Sequence, residues 1–328
     1  MAEKNLPMRE ALRAALHEEM VRDERVFVMG EEVGAWQGTH RVTRGFLEEF
    51  GAKRVRDTPI SEMAIAGAAV GAAMAGLRPV AEIMTINFAF LSLDAIINHA
   101  AKIHYMFNGQ FRVPLVIRAA TGWGNQATAT HSHTPEAIFA HFPGLYVGIP
   151  STPADAKGML KASIRTDNPV LFSEVIALYP KPGPVSDDPD LIVPIGKSDI
   201  KRAGDDVTIV TIGRGVEWSL QAADQLEKQG VECEVIDLRW LRPLDIDPVI
   251  ESFKKTNRCV VVEEGLPYYG VASEIIAQIQ EKAFDYMDAP VKRVNSMDVP
   301  LPYSRDIELM ALPNTQKVID AVKEVVYG

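Results

Sequence analysis

Hydrophobic positions recur with two alternating periods along this chain. Residues 8–21 carry apolar side chains at helical spacing, and residues 26–30 form a short apolar run that ends in the acidic pair Glu31 and Glu32. Residues 79–84, 113–119 and 145–149 read as buried strands, 153–165 as a helix and 169–175 as a further strand. Strands separated by helices predict a largely parallel sheet covered on both faces, because parallel neighbours need a long crossover. The pattern then fails: Pro180, Pro182, Pro184 and Pro189 fall close together without an apolar period, which predicts a linker. A second alternation follows, with strands at 207–212, 233–238 and 259–263 and helices at 217–228, 247–255, 272–282 and 316–326. The fold class expected is α/β, with two three-layer domains over 1–185 and 186–328.

Composition narrows the class further. A chain of 328 residues can bury two substantial cores, and 47% apolar with 24% charged residues excludes disordered and fibrous classes. The longest apolar stretch, 64–75, is too short and too rich in alanine and glycine to span a membrane. The opening residues place acids before any apolar run and do not read as a signal peptide. Cys233 and Cys259 are the only cysteines, each inside an apolar run, so free thiols in a reducing cytoplasm are expected. A net charge of -10 argues against a nucleic-acid partner and suits a basic protein partner.

Candidate chemistry concentrates in two stretches. In the first, Arg56, Asp57, Thr58, Pro59, Ile60 and Ser61 precede Glu62. Pro59 cannot continue a helix backwards and Ser61 is a good N-cap, so Glu62 is expected in the first turn of a helix. That helix is made almost wholly of small residues. Ala64, Gly67, Ala68, Gly71, Ala72 and Ala75 recur every three or four positions and form a face that another backbone can approach closely. Glu62 is then either a carboxylate at the mouth of a packed interface or a surface cap of its own helix. Burial would raise its pKa and the helix N-terminus would lower it. In the second stretch, 121–133, a Gly-, Ala- and Thr-rich loop leaves a buried strand, where open parallel sheets place ligands. It ends in His131 and His133, and a histidine there can move a proton at a ligand mouth or simply stand in solvent. A zinc site lacks its remaining ligands, since Glu136 is the nearby acid and no cysteine joins. Phe88, just past the strand 79–84, stands where a planar ring could stack, although core packing explains most of the aromatic cluster around it. Gly213, Arg214 and Gly215 follow a strand, but Trp218 takes the place of the third glycine of a dinucleotide fingerprint.

Taken together, Asp-Thr-Pro-Ile-Ser-Glu at 57–62, the Ala/Gly run at 69–79, Met84-Thr-Ile-Asn-Phe88 and Thr130-His-Ser-His133 resemble a known family. It is the beta subunit of the decarboxylating first component of pyruvate dehydrogenase, with similar relatives in acetoin and branched-chain 2-oxo acid dehydrogenases. The likeness continues through 238–243, 261–265 and 299–303 and covers nearly the whole chain. It implies a transketolase-like fold, with a pyrimidine-binding domain over 1–185 ending in the proline-rich linker and a transketolase-type C-terminal domain over 186–328. It also implies a heterotetramer of two alpha and two beta subunits that binds thiamine diphosphate. The alpha subunit would hold the diphosphate and Mg2+ through a Gly-Asp-Gly to Asn pattern, which Gly204, Asp205 and Asp206 do not complete. Glu62 would contact the pyrimidine nitrogen, Phe88 would pack on the ring, and Glu31 would lie on the subunit-interface side of the pocket. His131 matches the histidine that positions substrate and assists acyl transfer to the lipoyl domain of the acyltransferase core, which docks through its subunit-binding domain. A structural potassium ion, K+, is implied on backbone oxygens of Leu115, Ser163, Ile164, Thr166 and Asn168, although an Asp is common where Thr166 stands. His133 is a second departure, from the usual Gln. The Pro-Ile-Ser-Glu form resembles pyruvate and acetoin enzymes more than branched-chain ones, and pyruvate is expected first, acetoin second and branched-chain 2-oxo acids third. A non-catalytic scaffold that keeps the fold is the contrasting reading.

Overall fold

Continuous Val- and Ile-rich runs become strands here because side chains on both faces find apolar cover. The computed structural model describes residues 3–122 and 126–327. It contains two compact units, one formed by Met1–Thr121 with Ile138–Ile195 and the other by Gly122–Ala137 with Gly196–Gly328. The loop 122–137 therefore groups with the second unit, although its flanks belong to the first.

The first unit holds β1 (Glu3–Pro7), β2 (Val26–Gly30), β3 (Val55–Asp57), β4 (Arg78–Ile83), β5 (Val116–Thr121), β6 (Tyr146–Gly148), β7 (Val170–Val175) and β8 (Pro182–Ser186). Its main sheet runs β6-β7-β5-β4-β2-β3, with every neighbouring pair parallel. All residues of β2, β5 and β7 are buried. The helix Met8–Arg22 packs on the helix Pro153–Arg165, and the helix Glu62–Met74 packs on β4. Backbones crowd at Gly30, where a Cβ would lie 2.7 Å from the Glu82 carbonyl oxygen. The proline-rich stretch is not wholly a linker. Within it β8 pairs antiparallel with β1, setting Pro184 opposite Asn5 and Pro182 opposite Pro7. A two-stranded ribbon leaves outward edges where a residue without an N–H is tolerated.

The second unit holds β9 (Asp199–Arg202), β10 (Val207–Thr211), β11 (Cys233–Asp237), β12 (Trp240–Arg242), β13 (Cys259–Val262) and β14 (Lys292–Val294). The order β14-β13-β10-β11-β9 is parallel except for β9. The helices Gly215–Glu227 and Thr315–Tyr327 pack together, and Trp218, Leu226, Val318 and Val322 close a core over Val207 and Val235. Gly215 is explained by packing: a Cβ there would lie 2.3 Å from Thr211 Oγ1. Gly204 likewise lies against the backbone of Cys233, and Asp206 Oδ2 accepts the Glu232 N–H at 2.7 Å, so residues 204–206 are held against the neighbouring strand segment. Both cysteines are free and buried, and burial pushes the Cys233 thiol up to about 12. Among the described residues no helix is long and apolar enough to cross a membrane.

Candidate active site

In the first unit the chain leaves β2 for β3 on one side and returns to β4 on the other, so strand order reverses between β2 and β4. Open parallel sheets bind ligands outside the carboxyl ends of strands at such a point. The residues there are those that the sequence singled out. Glu31 follows β2, Glu62 opens the helix after β3, and Phe88 lies in the 3-10 helix Ile86–Ser92 after β4.

Glu31 and Glu62 are 6% and 5% exposed. Burial raises the Glu31 pKa first; the charge of Glu62 and a carboxyl–carboxyl hydrogen bond with it raise it further. Glu31 Oε1 is buried without a hydrogen-bond partner. The raised Glu31 carboxyl, with one buried oxygen unpartnered, leaves a polar position for an incoming group. An aminopyrimidine edge, with an amine and a basic ring nitrogen side by side, fits that position.

Ser61 does not cap the helix with its side chain. At φ -164° and ψ 89° its hydroxyl makes no capping bond, and only its carbonyl joins the helix, accepting from Ile65 N at 2.9 Å. The helix N-terminus is thus left for what approaches Glu62. The small-residue face behind it is exposed at Ala64, Gly67, Ala68, Gly71 and Ala75. A Cβ on Gly67 or Gly71 would meet nothing within 4 Å, so the close approach the face permits is not made within this unit.

The loop after Glu31 is tightly tied. Glu32, Gln37 and Arg41 adopt left-handed φ of 55°, 65° and 63°, conformations that non-glycine residues hold only at a cost. Asp57 Oδ1 accepts the Gly34 N–H at 2.6 Å and Oδ2 accepts that of Ala35 at 2.9 Å. Gly30 O accepts from Thr58 N at 3.0 Å, and Thr43 Oγ1 donates to Val33 O at 2.7 Å.

Within the same unit lies a buried charge cluster. Arg118 donates through Nε and Nη2 to the two oxygens of Glu174, both at 2.7 Å, and through Nη1 to Glu82 Oε2 at 2.5 Å. Burial opposes the Arg118 charge, but Glu174 and Glu82 outweigh it and hold the guanidinium protonated. Burial also pushes the Glu82 carboxyl up and the His40 imidazole down. Tyr179 donates to Glu174 Oε2 at 2.7 Å, and its ring stacks obliquely on His40 at 5.0 Å.

Phe88 is half-buried, its N–H bonded to Thr85 O at 3.0 Å, and its helical turn packs on the helix that begins at Glu62. His131 belongs to the second unit, where it is exposed with Nδ1 2.9 Å from Thr130 Oγ1. His133 is exposed too, its pKa lowered by partial burial and by His131. Trp123, Gly124 and Asn125 of this loop lie outside the described residues. Among the described residues no group of three or more His, Cys, Asp or Glu side chains could hold a metal ion. At the potassium position Arg78 Nη1 donates to the carbonyls of Ile164 and Thr166, both at 2.9 Å, while Leu115 O accepts from Val170 N at 2.8 Å. Ser163 Oγ bonds back to Met159 O at 2.8 Å, and Asn168 Nδ2 reaches Tyr146 Oη at 3.3 Å. A guanidinium therefore already serves two of those carbonyls.

Known proteins match this chain along nearly its whole length. Residues 4–181 match the transketolase pyrimidine binding domain and residues 196–318 the transketolase C-terminal domain. The pyruvate dehydrogenase E1 component subunit beta of Rhizobium meliloti is 51% identical over 98% of this chain and 70% of its own length. That of Rickettsia bellii is 50% identical over 98% of this chain and 99% of its own. The chain belongs to the pyruvate dehydrogenase E1 beta-subunit family. A solved split-gene transketolase, described as an inactive beta4 tetramer, shares the fold of this E1 beta-family chain, with a TM-score of 0.81 over 99% of both chains at 24% identity. The transketolase-like α/β fold with largely parallel sheets is thus present.

Sequence reasoning left some residues of this E1 beta-family chain without a role: Asp57, Glu82, Arg118, Glu174 and Tyr179. A signal existed for three of them, because a charge inside a buried strand run needs a partner. The partner was not readable. Glu82 and Arg118 stand opposite each other across β4 and β5, a pairing that only the strand order creates.

Proposed function

We propose that this E1 beta-family chain supplies half of an active site for oxidative decarboxylation of pyruvate, binding the pyrimidine of thiamine diphosphate and working with an alpha-type subunit. The buried pair of Glu31 and Glu62 at the switch point, with Glu31 Oε1 unpartnered, carries this reading. When bound, thiamine diphosphate supplies the nucleophilic carbon and the electron sink for loss of carbon dioxide. Glu62 would hold the pyrimidine ring nitrogen, Glu31 would stand beside it with its carboxyl raised above the ordinary range by burial, and Phe88 would offer a face to the ring. The low exposure of both carboxyls keeps bulk water from the pair. His131, whose Nδ1 lies against Thr130 Oγ1, would position substrate and assist transfer to the lipoyl acceptor.

Mg2+ and the diphosphate would fall to the alpha-type subunit, a reading supported by residues 204–206 being packed against the backbone of 232–234. A K+ ion would share the Ile164 and Thr166 carbonyls with Arg78. The acidic chain suits a basic subunit-binding domain of an acyltransferase core, and its two free buried thiols suit the cytoplasm. Pyruvate stands ahead of acetoin and branched-chain 2-oxo acids, because the curated relatives above are named for pyruvate.

The test is co-expression with an alpha-type subunit, then assay with pyruvate, acetoin and 3-methyl-2-oxobutanoate. Glu62→Gln is expected to lower turnover of the preferred substrate by about 100-fold or more, as loss of a positioned acid–base group does. Full activity in that variant would leave the chain a scaffold.

A further inference from the structure

We infer that Asp57 is a positioning residue: its carboxylate ties the turn that carries Glu31 to the segment that carries Glu62. The inference rests on the reading of that pair given above. Asp57 ends β3, and residues 58–61 lead from it directly into the helix opened by Glu62. Its side chain is exposed in this unit and adds nothing to the apolar core. What it does is accept two successive backbone N–H groups, from Gly34 at 2.6 Å and Ala35 at 2.9 Å. Bonds from amides to an ionised carboxylate are roughly twice as strong as neutral ones.

The tie has two ends. On the near side of Glu31, Gly30 O accepts from Thr58 N at 3.0 Å, and on the far side Asp57 holds residues 34 and 35. Glu31 is therefore bracketed by the segment that delivers Glu62. Gly34 is part of the device, because a Cβ there would lie 3.1 Å from both carboxylate oxygens. Between the brackets Glu32 is left-handed at φ 55°, and Gly38 N donates to Glu32 O at 2.8 Å. A turn with that backbone persists only when outside bonds over-determine it. Asp57 supplies two of them, from the segment that delivers Glu62.

The test places Asp57→Asn and Asp57→Glu beside Glu62→Gln, each assembled with the alpha-type subunit. Asn keeps the size but loses one acceptor and turns an amide toward an N–H. Hydrogen exchange over residues 31–38 is expected to quicken at least about tenfold in Asp57→Asn, while exchange in the helices Met8–Arg22 and Pro153–Arg165 stays at the parent rate. The calorimetric Kd for thiamine diphosphate should rise about tenfold. The kcat should fall by about 10- to 100-fold with KM for the substrate within about twofold, since a misplacement near 1 Å can cost about a hundredfold. Asp57→Glu should recover part of each change. Gly34→Ala, which crowds the carboxylate but leaves it in place, is expected to quicken the same exchange and gives a second route if an Asp57 variant does not fold. Parent exchange at 31–38, parent kcat, or faster exchange across the whole unit would overturn the inference while Glu62→Gln remains impaired. Full activity in Glu62→Gln would instead sink the reading of the pair, and the exchange data would still report on the tie.

Discussion

Glu31 shows how two acids in one small volume acquire a property neither has alone. Desolvation and the nearby Glu62 charge disfavour its ionised form, so its folded pKa lies above the ordinary 4.5. Between those two values the folded chain binds a proton that the unfolded chain has released, and stability falls as pH rises across that interval. Glu31→Gln removes the titration. Its melting temperature is expected to match the parent near pH 4 and to exceed it near pH 8, where each kcal/mol is worth about 2–4 °C. Thermal scans at the two pH values check this, and identical melting at pH 8 would show that burial of Glu31 carries no such cost. Arg118 is the contrasting case. Its partners Glu82 and Glu174 answer its charge inside the fold, so the cluster is structural where the Glu31/Glu62 pair is left open to a donor.

The helix Glu62–Met74 combines a buried face of Ile65, Ala66, Ala69, Val70 and Ala73 with an exposed face of small residues. Nothing lies within 4 Å of where a Cβ at Gly67 would stand. Glycine costs about 1 kcal/mol against alanine in a helix interior, so Gly67→Ala is expected to raise the melting temperature of the chain by about 2–4 °C. Gly67→Leu should leave the chain folded but block assembly with the alpha-type subunit, which size-exclusion chromatography would reveal. Normal assembly of Gly67→Leu would show that the face is not used for close packing. Elements of this kind were readable because their pattern is local. The short strands β3, β9 and β14 were not, since three or four residues at a sheet edge present too few apolar positions to show a period. The strand within the proline-rich stretch was hidden for another reason. Its partner β1 lies at the far end of the first unit's sequence, and proline composition alone reads as a linker.

At the scale of the whole molecule, a net charge of -10 gives the chain a long-range preference for basic partners. Binding of the assembled enzyme to a basic subunit-binding domain is expected to weaken at least about tenfold between low and high salt, measured by surface plasmon resonance. Salt-independent binding would rule out charge as its steering force. Local order in the chain was enough to determine the α/β alternation, the Ala/Gly helix headed by Glu62 and the motifs of the E1 beta family, because these depend on neighbours a few residues apart. Which residues meet was decided by the tertiary structure alone. Strand β2 lies beside β4 as well as β3, and that order sets Glu31 against Glu62, Asp57 on the amides of residues 34 and 35, and Arg118 between two carboxylates. Periodicity carries no record of strand order, because each strand buries its side chains equally well against any apolar neighbour.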